Sequence, residues 1–152
     1  MSRIRIKISL WVLVLALLFG GGIFLYLKYA NQTRIQDILQ KGEALVEQED
    51  LDGLMDLISS GYRDRYGLDR AGVHEVLAGL FKDFDHFEIS AQKPVIRFEG
   101  EAVKARIPLQ LKVDWAGARA FLVGSNSRPA PVTIVFRKEG LRWKVVRVEG
   151  VK

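Results

Sequence analysis

Twenty consecutive uncharged residues, Ile8 to Leu27, lie between Lys7 and Lys28 and restrict the folds open to this chain. At about 1.5 Å of rise per residue, such a helix reaches roughly 30 Å, the thickness of bilayer hydrocarbon. A helix satisfies its backbone bonds internally, so the run is expected to cross a membrane. Arg3, Arg5 and Lys7 precede it, and Lys28 and Arg34 come after it before acids begin. The positive-inside rule then keeps residues 1–7 in the cytoplasm and exports the residues beyond the span. A cleaved signal peptide is the competing reading, because Ile8–Phe19 ahead of Gly20-Gly21-Gly22 has a suitable length. Cleavage there leaves Ile23-Phe24-Leu25-Tyr26-Leu27 as an exposed apolar end, which favours the anchor.

The expected organisation is a cytoplasmic tail (1–7), a transmembrane helix (8–27), a tether or helix continuation (28–34) and one domain (35–152). Some 122 residues lie beyond residue 30, enough for one hydrophobic core. Cysteine is absent, which excludes disulfides, thiolate metal sites and a catalytic thiol. The net charge of +5 is unevenly spread: +4 over residues 1–30, −6 over 31–85 and +7 over 86–152. An acidic first half and a basic second half of one domain can steer an oppositely charged partner.

Within the domain the apolar period changes once. Thr33 and Gln36 form a capping box ahead of Ile35, Ile38, Leu39, Leu45 and Val46 at helical spacing. No Pro or Gly lies between Ile23 and Lys41, so a helix continuing straight out of the membrane fits equally. Asp52 is the expected cap of a second helix, ended by Ser59-Ser60-Gly61, and Asp69 that of a third carrying Val73, Val76, Leu77, Leu80, Phe81 and Phe84. From His86 the period is two. Val103, Ala105, Ile107, Leu109, Leu111, Val113 and Trp115 alternate with polar residues and Pro108, as in a strand with one buried face. Phe87, Ile89 and Ala91 are odd-numbered while Ile96 and Phe98 are even, so a bulge or break is expected at Lys93-Pro94. Turns at Glu99-Gly100-Glu101, Ala116-Gly117 and Lys138-Glu139-Gly140 separate the remaining strands. The expected fold class is α+β: a transmembrane helix, then a cone-like domain of about three helices packed on a curved antiparallel sheet of about five strands.

The run Glu49-Asp50-Leu51-Asp52-Gly53-Leu54, then Tyr62-Arg63-Asp64, Leu68-Asp69-Arg70 and the closing Gly140-Leu141-Arg142-Trp143-Lys144-Val145 resemble the nuclear transport factor 2-like (SnoaL-like) superfamily over about residues 33–150. The resemblance implies a curved sheet wrapped around helices. Enzymes of that superfamily place an acid/base group inside the cone, usually Asp with His, Tyr or Arg. Its members include isomerases, dehydratases, hydrolases and non-enzymatic assembly domains, so the resemblance leaves function open.

The inward parity of the strands, Val103 to Trp115 with Val132, Ile134, Phe136, Leu141, Trp143 and Val145, offers no side chain able to transfer a proton near neutral pH. This argues against an enzyme. Tyr62, Asp64 and Tyr66 are the candidate catalytic residues, placed after the second helix, where a cone mouth is expected. Asp83, Asp85, His86 and the more distant His74 are short of a convergent metal set, so no metal and no cofactor is expected. The outward parity is more suggestive, with Lys104, Arg106, Lys112, Arg137, Arg142 and Lys144 expected to share one sheet face. Such a face suits an acidic membrane or envelope protein, or anionic head groups. Nucleic acid is not expected, because the face is exported. The expected function is a membrane-anchored, non-catalytic binding or assembly module; the alternative is a small-molecule binder or enzyme using an apolar cone pocket.

Overall fold

The computed structural model describes the backbone of residues 2–150 and the side chains of residues 22–150. The chain divides into two compact units, one ending at Ile35 and one starting at Gln36. Residues 1–7 and most of the expected span, residues 8–21, lie outside the described side chains. Among the described residues no helix is long and apolar enough to cross a membrane.

The first helix, α1, runs unbroken from Ser2 to Glu47. Thr33 is therefore interior rather than a cap, and its hydroxyl donates back to the Tyr29 carbonyl at 3.1 Å. The helix ends in a Schellman turn: Asp50 N–H donates to Leu45 O and Glu49 N–H to Val46 O. Glu49 takes the left-handed position, with φ of 55°. This turn delivers Asp50 as the cap of α2 (Leu51–Leu57), where its carboxylate accepts from Gly53 N–H at 2.9 Å. The cap is thus two residues earlier than the expected Asp52. Asp69 caps α3 (Arg70–Asp83) as expected, accepting from Gly72 N–H at 2.9 Å.

Six strands come next rather than five: β1 (Asp85–Ala91), β2 (Val95–Glu99), β3 (Ala102–Trp115), β4 (Ala118–Val123), β5 (Ala130–Glu139) and β6 (Arg142–Glu149). The extra strand comes from the break at Lys93-Pro94. Proline has no N–H for the ladder, so β1 and β2 pair with different halves of β3, either side of the bend. All pairings are antiparallel and β3 is the hub, flanked by β1 and β2 on one side and β4 and β5 on the other. The hairpin from β3 to β4 closes through Ala116-Gly117, both with positive φ (52° and 79°), the backbone of a type I′ turn.

The inner face follows the two-residue period along the middle of the sheet, but Trp115 and Leu141, expected to face inward, are exposed where strands meet turns, and the outward-parity Val135 is buried. Val103, Ala105 and Ile107 pair across to Phe136, Ile134 and Val132, and all but Ile134 are buried. β6 would leave an open edge, and residues 58–63 cover it. Ser59 N–H donates to Val145 O at 2.8 Å and Arg63 N–H to Val146 O at 3.1 Å, so the middle of that edge is already occupied.

Candidate functional site

Between the helices and the inner sheet face lies an apolar chamber of about 280 Å³. Helix α1 lines it with Ile38, Leu39, Gly42, Glu43 and Val46, and the sheet with Ile107, Leu109, Ile134 and Phe136. Glu43 is its one ionisable lining residue. Burial, and after it the nearby charge of Glu47, raises the Glu43 carboxyl above the ordinary carboxylate range. No hydrogen-bond or ion-pair partner for it exists among the described residues. Beside the chamber is a cleft of about 340 Å³ where α1 meets the β1–β2 bend. Gln36, Gln40, Gln92 and Lys93 line the cleft, and Leu39, Glu43 and Ile107 belong to both cavities.

Tyr62, Asp64 and Tyr66 do not line the chamber. The Tyr62 ring is buried, and its phenol oxygen accepts from Val148 N–H at 3.2 Å. Burial and the neighbouring Asp64 charge raise its pKa, which keeps the phenol neutral. Asp64 organises its own turn, its Oδ1 accepting from Tyr66 N–H at 2.8 Å and Leu68 N–H at 3.0 Å. Tyr66 is exposed and accepts from the Arg65 guanidinium at 2.8 Å. These contacts hold a loop together, and the Tyr62 phenol lies behind the chamber wall, bonded to the backbone of the lining residue Val148.

His86 Nδ1 lies 3.2 Å from the Asp114 carboxylate, on the strand face that carries Arg119 and Glu88. Arg119 holds the Asp114 pKa below the usual range. Among the described residues no three side chains converge as metal ligands. His74 is exposed on α3, and Asp83 and Asp85 are exposed at its end.

The cross-strand register brings five of the six basic candidates together. Lys104 sits opposite Val135, Arg106 opposite Thr133, Arg137 opposite Ala102 and Lys144, and Arg142 opposite Glu139. Lys112 lies eight residues further along β3, bound to Glu88 at 3.6 Å and stacked over Phe121. Within the cluster Lys104 is paired with Glu99 at 2.8 Å, and Lys144 donates to the Asp56 carbonyl. Arg106, Arg137 and Arg142 are exposed and have no acidic side chain within ion-pair distance among the described residues. Arg97 extends this face, opposite Lys104 on β2. Its odd number beside the even Ile96 and Phe98 already signals an outward side chain. Leu141, 87% exposed in the β5–β6 turn, adjoins Arg142.

Neither a protein-family model nor a curated protein matches the sequence. Solved structures do match the fold. A scytalone dehydratase-like protein from Novosphingobium aromaticivorans superposes with a TM-score of 0.68 at 14% identity, covering 80% of this chain and 83% of its own. A hexachlorocyclohexane dehydrochlorinase of type 2 gives 0.66 at 12% identity over 80% and 84% of the two chains. A nuclear transport factor 2-like protein with a cystatin-like fold, also from N. aromaticivorans, gives 0.62 at 17% identity over 84% and 85%. At these identities the likeness concerns architecture: three helices on a six-stranded antiparallel sheet form a nuclear transport factor 2-like cone.

Proposed function

We propose that this chain is a single-pass membrane protein that displays its α+β domain outside the cytoplasm as a non-catalytic binding module for an acidic envelope protein. The observation that carries this reading is a row of exposed arginines on one sheet face, Arg106, Arg137 and Arg142, none within ion-pair distance of an acid among the described residues, with the exposed Leu141 next to Arg142 at one end. An exposed apolar side chain next to arginine is a common energetic centre of a protein interface. The anchor is supported by Ile23, Phe24, Leu25, Tyr26 and Leu27, each more than half exposed on a helix. A helix apolar on every face needs lipid or protein around it. Tyr26 and Tyr29 flank Lys28, the residue types favoured at a membrane–water boundary. A chamber with one carboxyl and no proton-transfer partner supports a non-catalytic role.

A photo-reactive residue in place of Leu141 tests the reading in intact membranes. The expected result is an adduct with an acidic protein that disappears when Arg106, Arg137 and Arg142 are all changed to Glu. An adduct that survives the charge reversal, or one formed with lipid alone, overturns the proposal. The chamber supports a second reading, a small-molecule binder.

A further inference from the structure

The chamber and the cleft share Leu39, Glu43 and Ile107 in their walls, and Glu43 is the charged one of the three. We propose that they form one site for an apolar amine, its hydrocarbon body in the chamber and its ammonium against the Glu43 carboxylate where the two cavities join. The proposal rests on the small-molecule reading and names its ligand class.

Three observations carry it. The chamber wall is hydrocarbon throughout except for Glu43, so it accepts an apolar skeleton and nothing polar at depth. Glu43 is partly desolvated with no partner among the described residues, a state that a bound cation relieves and that a neutral or anionic head does not. Glu47, one turn further along α1, adds a second negative charge and disfavours a carboxylate. Lys93 is exposed on the cleft's opposite side, where water screens it, and the amides of Gln36, Gln40 and Gln92 line the exit. The bend at Lys93-Pro94 helps to open this cleft, since residues 92–94 lie between the two strands that pair with β3.

Three compounds with one rigid skeleton test it: 1-adamantylamine, 1-adamantanol and adamantane-1-carboxylate. Each is titrated calorimetrically at neutral pH into the full chain held in uncharged maltoside micelles, against a micelle blank. The amine is expected to bind at least about tenfold tighter than the other two. Glu43→Gln is expected to bring the amine down to the alcohol. Gly42→Leu, which extends from α1 toward the chamber where an added Cβ meets only Leu57 at 3.8 Å, is expected to abolish binding of all three. Alcohol binding as tight as amine binding overturns the amine assignment and leaves the small-molecule reading standing. No heat above the blank from any compound overturns both. Amine binding that persists unchanged in Gly42→Leu places the ligand elsewhere and overturns the proposal, with a thermal melt confirming that each variant is folded.

Discussion

Glu43 is a partly buried carboxyl on the chamber wall, and its consequence is a pH dependence of definite sign. Its folded pKa is raised above the ordinary 4.5 by burial and by Glu47. In the window between those values the unfolded chain has released the proton and the folded chain retains it, so stability falls as pH rises. Below the window the carboxyl is neutral in both states and costs nothing. Glu43→Gln is therefore expected to match the natural protein near pH 4 and to be more stable at neutral pH. The gain is less than about 1 kcal/mol, because the carboxylate still reaches water. Thermal melts of both proteins at the two pH values decide it, and an equal difference at both values refutes the assignment. Glu43 was legible in principle: it lies four residues after Leu39 and three before Val46, on the apolar stripe of α1. Counting acids on strand parity alone passes over it, because the chamber has a helical wall as well. Tyr62 is the opposite case. Its local sequence suggests a proton donor, whereas the contact that occupies its oxygen comes from Val148, 86 residues away.

At the scale of elements, caps separate what local sequence specifies from what tertiary context decides. Thr33, Asp52 and Asp69 each fit a helix start, yet only Asp69 caps one, and Asp50 takes the place given to Asp52. Thr33 loses its role because α1 has no breaker upstream of it within reach, and a helix already formed propagates at little cost. Asp52 loses its role because the Schellman turn sets the chain direction at Asp50. Replacing Asp50 or Asp69 by Ala is expected to cost about 1 kcal/mol each. Asp52→Ala is expected to cost less, since it removes only a favourable charge in the first turn of α2, and Thr33→Ala close to nothing. Urea denaturation midpoints of the four variants give the order, and a Thr33→Ala loss equal to that of Asp69→Ala contradicts it. The strands were more legible than the helix ends. A two-residue period fixes which face is buried, and the parity change at Lys93-Pro94 marked the break that makes six strands. What parity does not give is lateral position, which is why Lys112 shares the outward face of the other five basic residues yet sits apart from them.

For the whole molecule, the decisive contrast is between residues 23–27, apolar and exposed among the described residues, and a domain with its own core. The unit starting at Gln36 buries Phe136, Val103, Ala105 and Val113 to within 1% of complete enclosure. Ile23, Phe24, Leu25 and Leu27 are instead exposed by 54–67%, and removing such side chains from water is worth about 1.5–3 kcal/mol each. A sum of that size over a short stretch favours lipid strongly over water. The two parts are therefore expected to behave independently in a fractionation experiment. The full chain should sediment with membranes and stay there through alkaline carbonate, which strips proteins held only by charge. A chain shortened to begin at Lys28 should be released into the soluble fraction with its circular dichroism and melting transition retained, because the strands and their core lie wholly beyond residue 28. If the domain is exported as proposed, externally added protease should cleave it in cells whose outer barrier has been opened and should spare it in vesicles of inverted orientation. Full chain recovered in the carbonate supernatant would mean that the exposed apolar helix face is covered by protein rather than lipid.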